Sequence, residues 1–77
     1  MAYEMLMPDL GGGQTTARVE RWFCEEGYSV REGDEVVCLA TPTTEMRLPS
    51  PMTGVIKEIL VDEGDEVSVG DVLALLE

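Results

Sequence analysis

"ARVERWFCEEGYSVREGDEVVCLA" (17–40) and "GVIKEILVDEGDEVSVGDVLALLE" (54–77) are two versions of one pattern. Displaced by 37 positions they superpose without a gap. Glu26, Gly27, Val30, Gly33, Asp34 and Leu39 then fall on Glu63, Gly64, Val67, Gly70, Asp71 and Leu76. Other pairs keep their character: Val19 with Ile56, Trp22 with Ile59, Phe23 with Leu60, Cys24 with Val61, Val36 with Leu73, and Cys38 with Leu75. Chance rarely preserves both glycines of a Gly-x-x-Val-x-x-Gly-Asp unit in two places.

Each copy reads as strand, turn, short strand, turn, strand. The glycines permit positive φ where the chain reverses. The aspartate after the second glycine can bond the backbone and tighten its turn, and the valine between the glycines can point inward. The strands are rich in Val, Ile, Leu and aromatics, and no segment keeps helical spacing over the length a helix needs. One copy is too small to fold alone. Two copies packed face to face enclose a shared core, which predicts an all-β flattened barrel or sandwich with pseudo-twofold symmetry. Segments 1–16 and 41–53 lie outside the repeat. By the symmetry, the joining hairpin is expected at one end of the barrel and the N- and C-terminal strands together at the other.

At 77 residues the chain is expected to be a single domain, 1–77. Sixteen acidic residues face five basic ones, a net charge of −11. Such a surface repels phosphate backbones and anionic lipid, so nucleic-acid and membrane roles are not expected, and a basic partner is favoured. A solvated acidic face would account for the charge equally simply. No apolar run approaches the roughly 20 residues of a membrane span, and "MAYEML" has no signal-peptide pattern. Cys24 and Cys38 are too few for a disulfide framework and too far apart for a CxxC motif. A reducing cytoplasm is therefore the expected compartment. The absence of histidine removes the commonest metal ligand and acid–base group.

Several residues invite functional readings that their context does not support. Both cysteines match large aliphatic residues in the second copy, which argues for buried packing over a redox role. Trp22 matches Ile59 and is expected in the core or at its rim; Met5, Met7, Met46 and Met52 read as core filler or hairpin packing, not as a metal site. Gly11-Gly12-Gly13 could suggest a phosphate loop, but no lysine accompanies it and no helix follows, so a flexible loop is expected. "DEGDE" (62–66) lacks the ligand spacing of a calcium loop, and its counterpart in the first copy carries Tyr28 and Ser29. It is expected to be a turn with solvated carboxylates, and no metal site is expected.

Taken in order, the pieces resemble the lipoyl domains of 2-oxoacid dehydrogenase dihydrolipoamide acyltransferases, within the biotinyl/lipoyl attachment family. The resemblance rests on "MPDLG" (7–11), "RW" (21–22), the two glycine turns, "PSPMTGVIKEILV" (49–61) and "DEGDEVSVGDVLALLE" (62–77), and covers essentially the whole chain. It implies a barrel-sandwich of two four-stranded antiparallel sheets with a carrier-type hairpin at 41–47. In that family a lysine at the hairpin tip carries lipoate as an amide and swings acyl groups and electrons between active sites. Tethering makes each transfer effectively intramolecular. The family pattern places an Asp-Lys pair with its lysine eight residues before the second proline of Pro-Ser-Pro. Counted back from Pro51, that position is Thr43, preceded by Pro42 and followed by Thr44.

Threonine cannot replace the amine, because its hydroxyl is a far weaker nucleophile without a neighbouring base. Lys57 is the one lysine of the chain, and it matches Glu20 on a solvent-facing strand position. Arg47 lies near the hairpin, but a guanidinium stays protonated and accepts acyl groups poorly. No lipoate is therefore expected on the sequence as it stands. The first loop departs from the family pattern as well, reading Gly11, Gly12, Gly13, Gln14 where a glutamate-containing loop is usual. In the family this loop lies beside the hairpin. Gly11, Gly12, Gly13, Gln14, Pro42 and Thr43 thus mark the face that a dehydrogenase component or a lipoate ligase would touch.

The departures suit a natural relative relieved of carrier duty; an altered or divergent carrier is the other reading. The expected function is a lipoyl-type module, monomeric in isolation and non-catalytic, that docks or regulates protein partners. The alternative is a structural or protein-binding barrel unrelated to oxoacid metabolism. Efflux-adaptor barrels of that kind are usually split by a helical hairpin, whereas here only 13 residues (41–53) join the copies. An enzyme is disfavoured by the lack of histidine and of any catalytic dyad.

Overall fold

A computed structural model describes residues 2–77; Met1, the first residue of the expected domain, lies outside them. Eight strands follow in order: β1 (Tyr3–Leu6), β2 (Thr16–Trp22), β3 (Ser29–Val30), β4 (Glu35–Ala40), β5 (Glu45–Pro49), β6 (Gly54–Ile59), β7 (Glu66–Ser68) and β8 (Val72–Leu76). They form two four-stranded sheets, β1-β8-β6-β3 and β5-β4-β2-β7. Every pairing is antiparallel, and the described residues contain no helix. The expected all-β double sheet is the observed one.

The short strands are exchanged. β3, from the first copy, pairs with β6 of the second, while β7 of the second pairs with β2 of the first. Hydrogen bonds repeat across this exchange almost atom for atom. Gly64 N–H donates to Val19 O and Gly27 N–H to Ile56 O, both at 2.7 Å. Val19 N–H donates to Asp65 O at 2.8 Å, as Ile56 N–H does to Tyr28 O at 2.9 Å. Gly27 and Gly64 have φ of +91° and +97°, a region L side chains rarely adopt, so the glycine in this turn is fixed by the backbone path. Asp34 and Asp71 close their turns as expected, accepting from Arg31 N–H and Ser68 N–H at 2.9 and 2.8 Å. Val30 and Val67 are buried between the glycines.

One expectation needs correction. The carboxylates of the 62–66 turn are not all merely solvated. Glu63 Oε2 accepts the Trp22 N–H at 3.0 Å, and Glu26 Oε2 accepts the Ile59 N–H at 2.8 Å. Trp22 and Ile59 end β2 and β6, where the backbone donor has left the strand ladder and takes a side-chain acceptor in place of water. The glutamate of one copy thus terminates a strand of the other.

The symmetry also reaches beyond the repeat seen in sequence. Gly70 N–H donates to Met7 O as Gly33 N–H donates to Ser50 O, both at 3.0 Å. Met7 N–H donates to Asp71 O at 2.9 Å as Ser50 N–H does to Asp34 O at 2.7 Å. β1 and β5 are therefore equivalents, although Met7 and Ser50 stand 43 positions apart instead of 37. β1 lies against β8, so the terminal strands are together as expected. Ser50, the buried polar residue at the site equivalent to Met7, is satisfied by donating to Met52 O at 2.6 Å.

Side chains from both copies fill one core, with Val19, Val36, Leu39, Ile56, Leu73 and Leu76 fully enclosed. Met5 and Met7 belong to it, Met46 and Met52 pack against it, and Trp22 sits half-buried at its rim, donating through Nε1 to Val61 O at 3.1 Å. Gly54 takes the place of Ala17 because a Cβ there would collide with the carbonyl oxygen of Glu77.

Replacing both Glu26 and Glu63 by alanine should lower unfolding free energy by about 1 kcal/mol per carboxylate in urea denaturation. Unchanged stability would show that the two strand ends are satisfied by water alone.

Candidate functional site

The candidate site is the hairpin joining β4 to β5. The strands run in register from Cys38 opposite Arg47 to Ala40 opposite Glu45. Thr41 N–H then donates to Thr44 O at 2.7 Å, leaving Pro42 and Thr43 as an exposed two-residue apex. Two-residue hairpins favour turns with positive φ at the first central residue. Proline cannot adopt that conformation, and no non-glycine residue here has positive φ. Thr41 compensates. Its Oγ1 accepts the Thr44 N–H at 3.1 Å and donates to Thr44 O at 3.2 Å, clipping the turn with a side chain. Sequence reasoning missed this role, although a threonine directly before Pro42 was the available signal. The Thr43 backbone is open to any L residue.

The other residues expected at this face are placed as follows. Gly11, Gly12 and Gly13 are exposed and form a turn closed by Gln14 N–H donating to Gly11 O at 3.1 Å, with Asp9 accepting from Gly11 N–H at 2.8 Å. Gln14 is half-buried. The loop leads into Thr16, which shares a shallow cleft with Pro42, Thr41, Ala40, Arg18, Ala17 and Glu66. The structure thus brings the exit of the glycine loop to the hairpin; the glycines themselves do not line that cleft.

No amine stands at the apex. Lys57 lies within β6, exposed, with Nζ 3.7 Å from Glu77 Oε1. Arg47 lies on β5, 3.4 Å from a Glu35 carboxylate oxygen and 5.7 Å from the centre of the Phe23 ring. No group of metal-ligating side chains occurs among the described residues.

The outer faces of the two sheets differ in charge at equivalent positions. Cys38 is flanked across β2 and β5 by Arg21 and Arg47. Its counterpart Leu75 is flanked across β6 and β1 by Glu58 and Glu4. Cys38 is buried beneath its neighbours on that outer face, outside the main core, whereas Cys24 is part of the core. Burial pushes both thiols up, and Glu45 adds to the effect at Cys38. Both cysteines are free.

This geometry is a barrel-sandwich presenting a tight hairpin, the architecture of a covalent-carrier domain. Residues 3–76 match the biotin/lipoyl family model, described as biotin-requiring enzyme, and the chain belongs to that family. Its members are attachment domains that carry biotin or lipoate covalently and are not themselves catalysts. The chain is 34% identical over its full length to the dihydrolipoyllysine-residue acetyltransferase component of the pyruvate dehydrogenase complex of Staphylococcus epidermidis, and covers 18% of that protein. It is similar in structure to the lipoyl domain of the 2-oxoglutarate dehydrogenase complex of Azotobacter vinelandii, with a TM-score of 0.78 and 27% identity over 96% of this chain and 94% of that one. A second structural relative is Kluyveromyces lactis urea carboxylase, with a TM-score of 0.84 and 26% identity over all of this chain and 6% of that one. The chain therefore resembles the lipoyl carrier domains of 2-oxoacid dehydrogenase acyltransferases.

Raised thiol pKa values mean less thiolate at a given pH, so both cysteines should react with a disulfide reagent at pH 8 far more slowly in the native than in the urea-unfolded protein. The unfolded thiols lose their protons first, so stability should fall as pH rises above about 8.5. Native-state labelling at the unfolded rate would contradict the burial of these groups.

Proposed function

We propose that this is a lipoyl-type domain of a 2-oxoacid dehydrogenase acyltransferase that cannot accept lipoate, and that it acts by docking protein partners. One observation carries the reading: the hairpin keeps the exposed two-residue apex, but Pro42 and Thr43 occupy it. An amide to lipoate requires an amine, and a threonine hydroxyl with no neighbouring base is not a substitute. The residues present do not fit the group. Lys57 does not replace the missing amine, because a position within a strand cannot give the reach of a hairpin tip.

Docking is supported by what remains. The hairpin is still clipped in shape by Thr41, and Gly11, Gly12, Gly13 and Gln14 remain at the surface or near it. A dehydrogenase component or a lipoate ligase that recognises the shape of a lipoyl domain would meet this frame without its substrate amine. The Staphylococcus relative belongs to a pyruvate dehydrogenase complex, which supports a partner of that kind. The reading takes 1–77 as one domain, monomeric in isolation. It assigns the domain to the cytoplasm, where two free thiols persist.

Expression with lipoate and a lipoate ligase should leave the intact mass of the parent chain unchanged. Thr43→Lys, alone or with Pro42→Asp, should gain one lipoyl group, while thermal stability shifts by no more than about 0.5 kcal/mol as expected for an exposed turn. Lipoyl mass on the parent, or none on either variant, would overturn the assignment of Thr43 to the carrier position.

A further inference from the structure

We infer that the free edge of β1 is a docking site that takes an extended strand of alternating basic and apolar residues from a partner protein. The inference rests on the reading of the domain as a docking module and names where and what it docks. β1 is the outermost strand of its sheet, paired only with β8. An unpaired strand edge is a template for another chain, and proteins ordinarily blunt it with charge, proline or a covering segment.

Here the edge opens onto a groove of about 490 Å³ between β1 and the end of β5. Tyr3, Met5, Leu6, Leu48, Pro49 and Val69 form much of its wall, and Glu4 is its one charged lining residue. In a chain with sixteen acidic residues that is an unusual concentration of apolar surface. Tyr3, Leu6 and Val69 are 51%, 47% and 44% exposed, three of the large apolar side chains left in water. Pro49 and Pro51 stand on the β5 side of the groove and Pro8 lies beyond the end of β1, so the proline-free strand edge open to a new partner is Tyr3–Leu6.

Charge selects the occupant. Glu58, Leu75 and Glu4 form a cross-strand row on the outer face of this sheet. Neither glutamate has an ion-pair partner among the described residues. A strand added beside β1 would extend that row by one residue, directly opposite Glu4, where a lysine or arginine makes a favourable cross-strand pair. Its alternate side chains would then point into the groove, where apolar groups fit. A second copy of this chain would instead bring glutamate against glutamate and two domains of net charge −11 together.

The probe is an acetylated, amidated hexapeptide alternating valine and lysine, titrated into the 15N-labelled domain at low salt. Chemical-shift changes should centre on Tyr3–Met7 and Val69, and the β1 amides should gain protection from exchange. Binding should be lost when alternate peptide nitrogens are methylated, since strand addition requires main-chain donors. Glu4→Lys should weaken the affinity about three- to tenfold. Glu25→Lys changes net charge equally but lies between β2 and β3, and should weaken it less than about twofold. Shift changes confined to other surfaces, no saturation at millimolar peptide, equal binding of the methylated peptide, equal effects of the two lysine variants, or a peptide-independent dimer through β1 would each overturn the inference. Absence of binding with the lipoylation results above intact would reject this site alone.

Discussion

The exchange of short strands between the two copies is the constraint on which the rest of the structure depends. Gly27 bonds to Ile56 and Gly64 to Val19, so each turn is completed by a carbonyl from the other half. Glu26 and Glu63 repeat the arrangement with side chains, each closing the opposite half's strand end. A half cut from its partner would lose its short-strand pairing, its strand-end acceptor and the far wall of its core together. Two copies of a pattern too small to fold alone therefore make one cooperative unit.

That unit fixes the hairpin. β4 is held between β2 and β5, so the apex is carried on a strand paired on both edges. The same frame would present a lysine well, and here it presents Pro42 and Thr43. The turn geometry is met by the residues present: Thr41 supplies the local bonds and proline a fixed φ. Lysine at position 43 would meet no conformational barrier. The shape of the hairpin thus rests on Thr41 and the flanking strands, not on the identity of residue 43.

The fold was largely legible in the sequence because its signals are local. Paired glycines, the aspartates after Gly33 and Gly70, and the inward valines each act within a few residues of themselves. What was not legible depends on partners far along the chain. Glu26 and Glu63 stand out as repeated, but their acceptor role exists only because the short strands cross over. The equivalence of β1 and β5 was hidden because the glycine loop before β2 adds six residues and shifts the offset. Of the candidate site, the exposed turn at Pro42 and Thr43 was legible from its distance to Pro51. The clip by Thr41 and the opposed charge rows around Cys38 and Leu75 were not, since cross-strand register, bulges included, decides which side chains meet.

Native-state hydrogen exchange tests the interdependence of the halves most directly. If they stand or fall together, the amides of Val19, Gly27, Ile56 and Gly64 should open with one common free energy, equal to that of global unfolding in denaturant. A clearly lower opening energy for one symmetric partner, Gly27 against Gly64 or Val19 against Ile56, would mean that one half persists without the other, contradicting the exchange of strands as the basis of the fold.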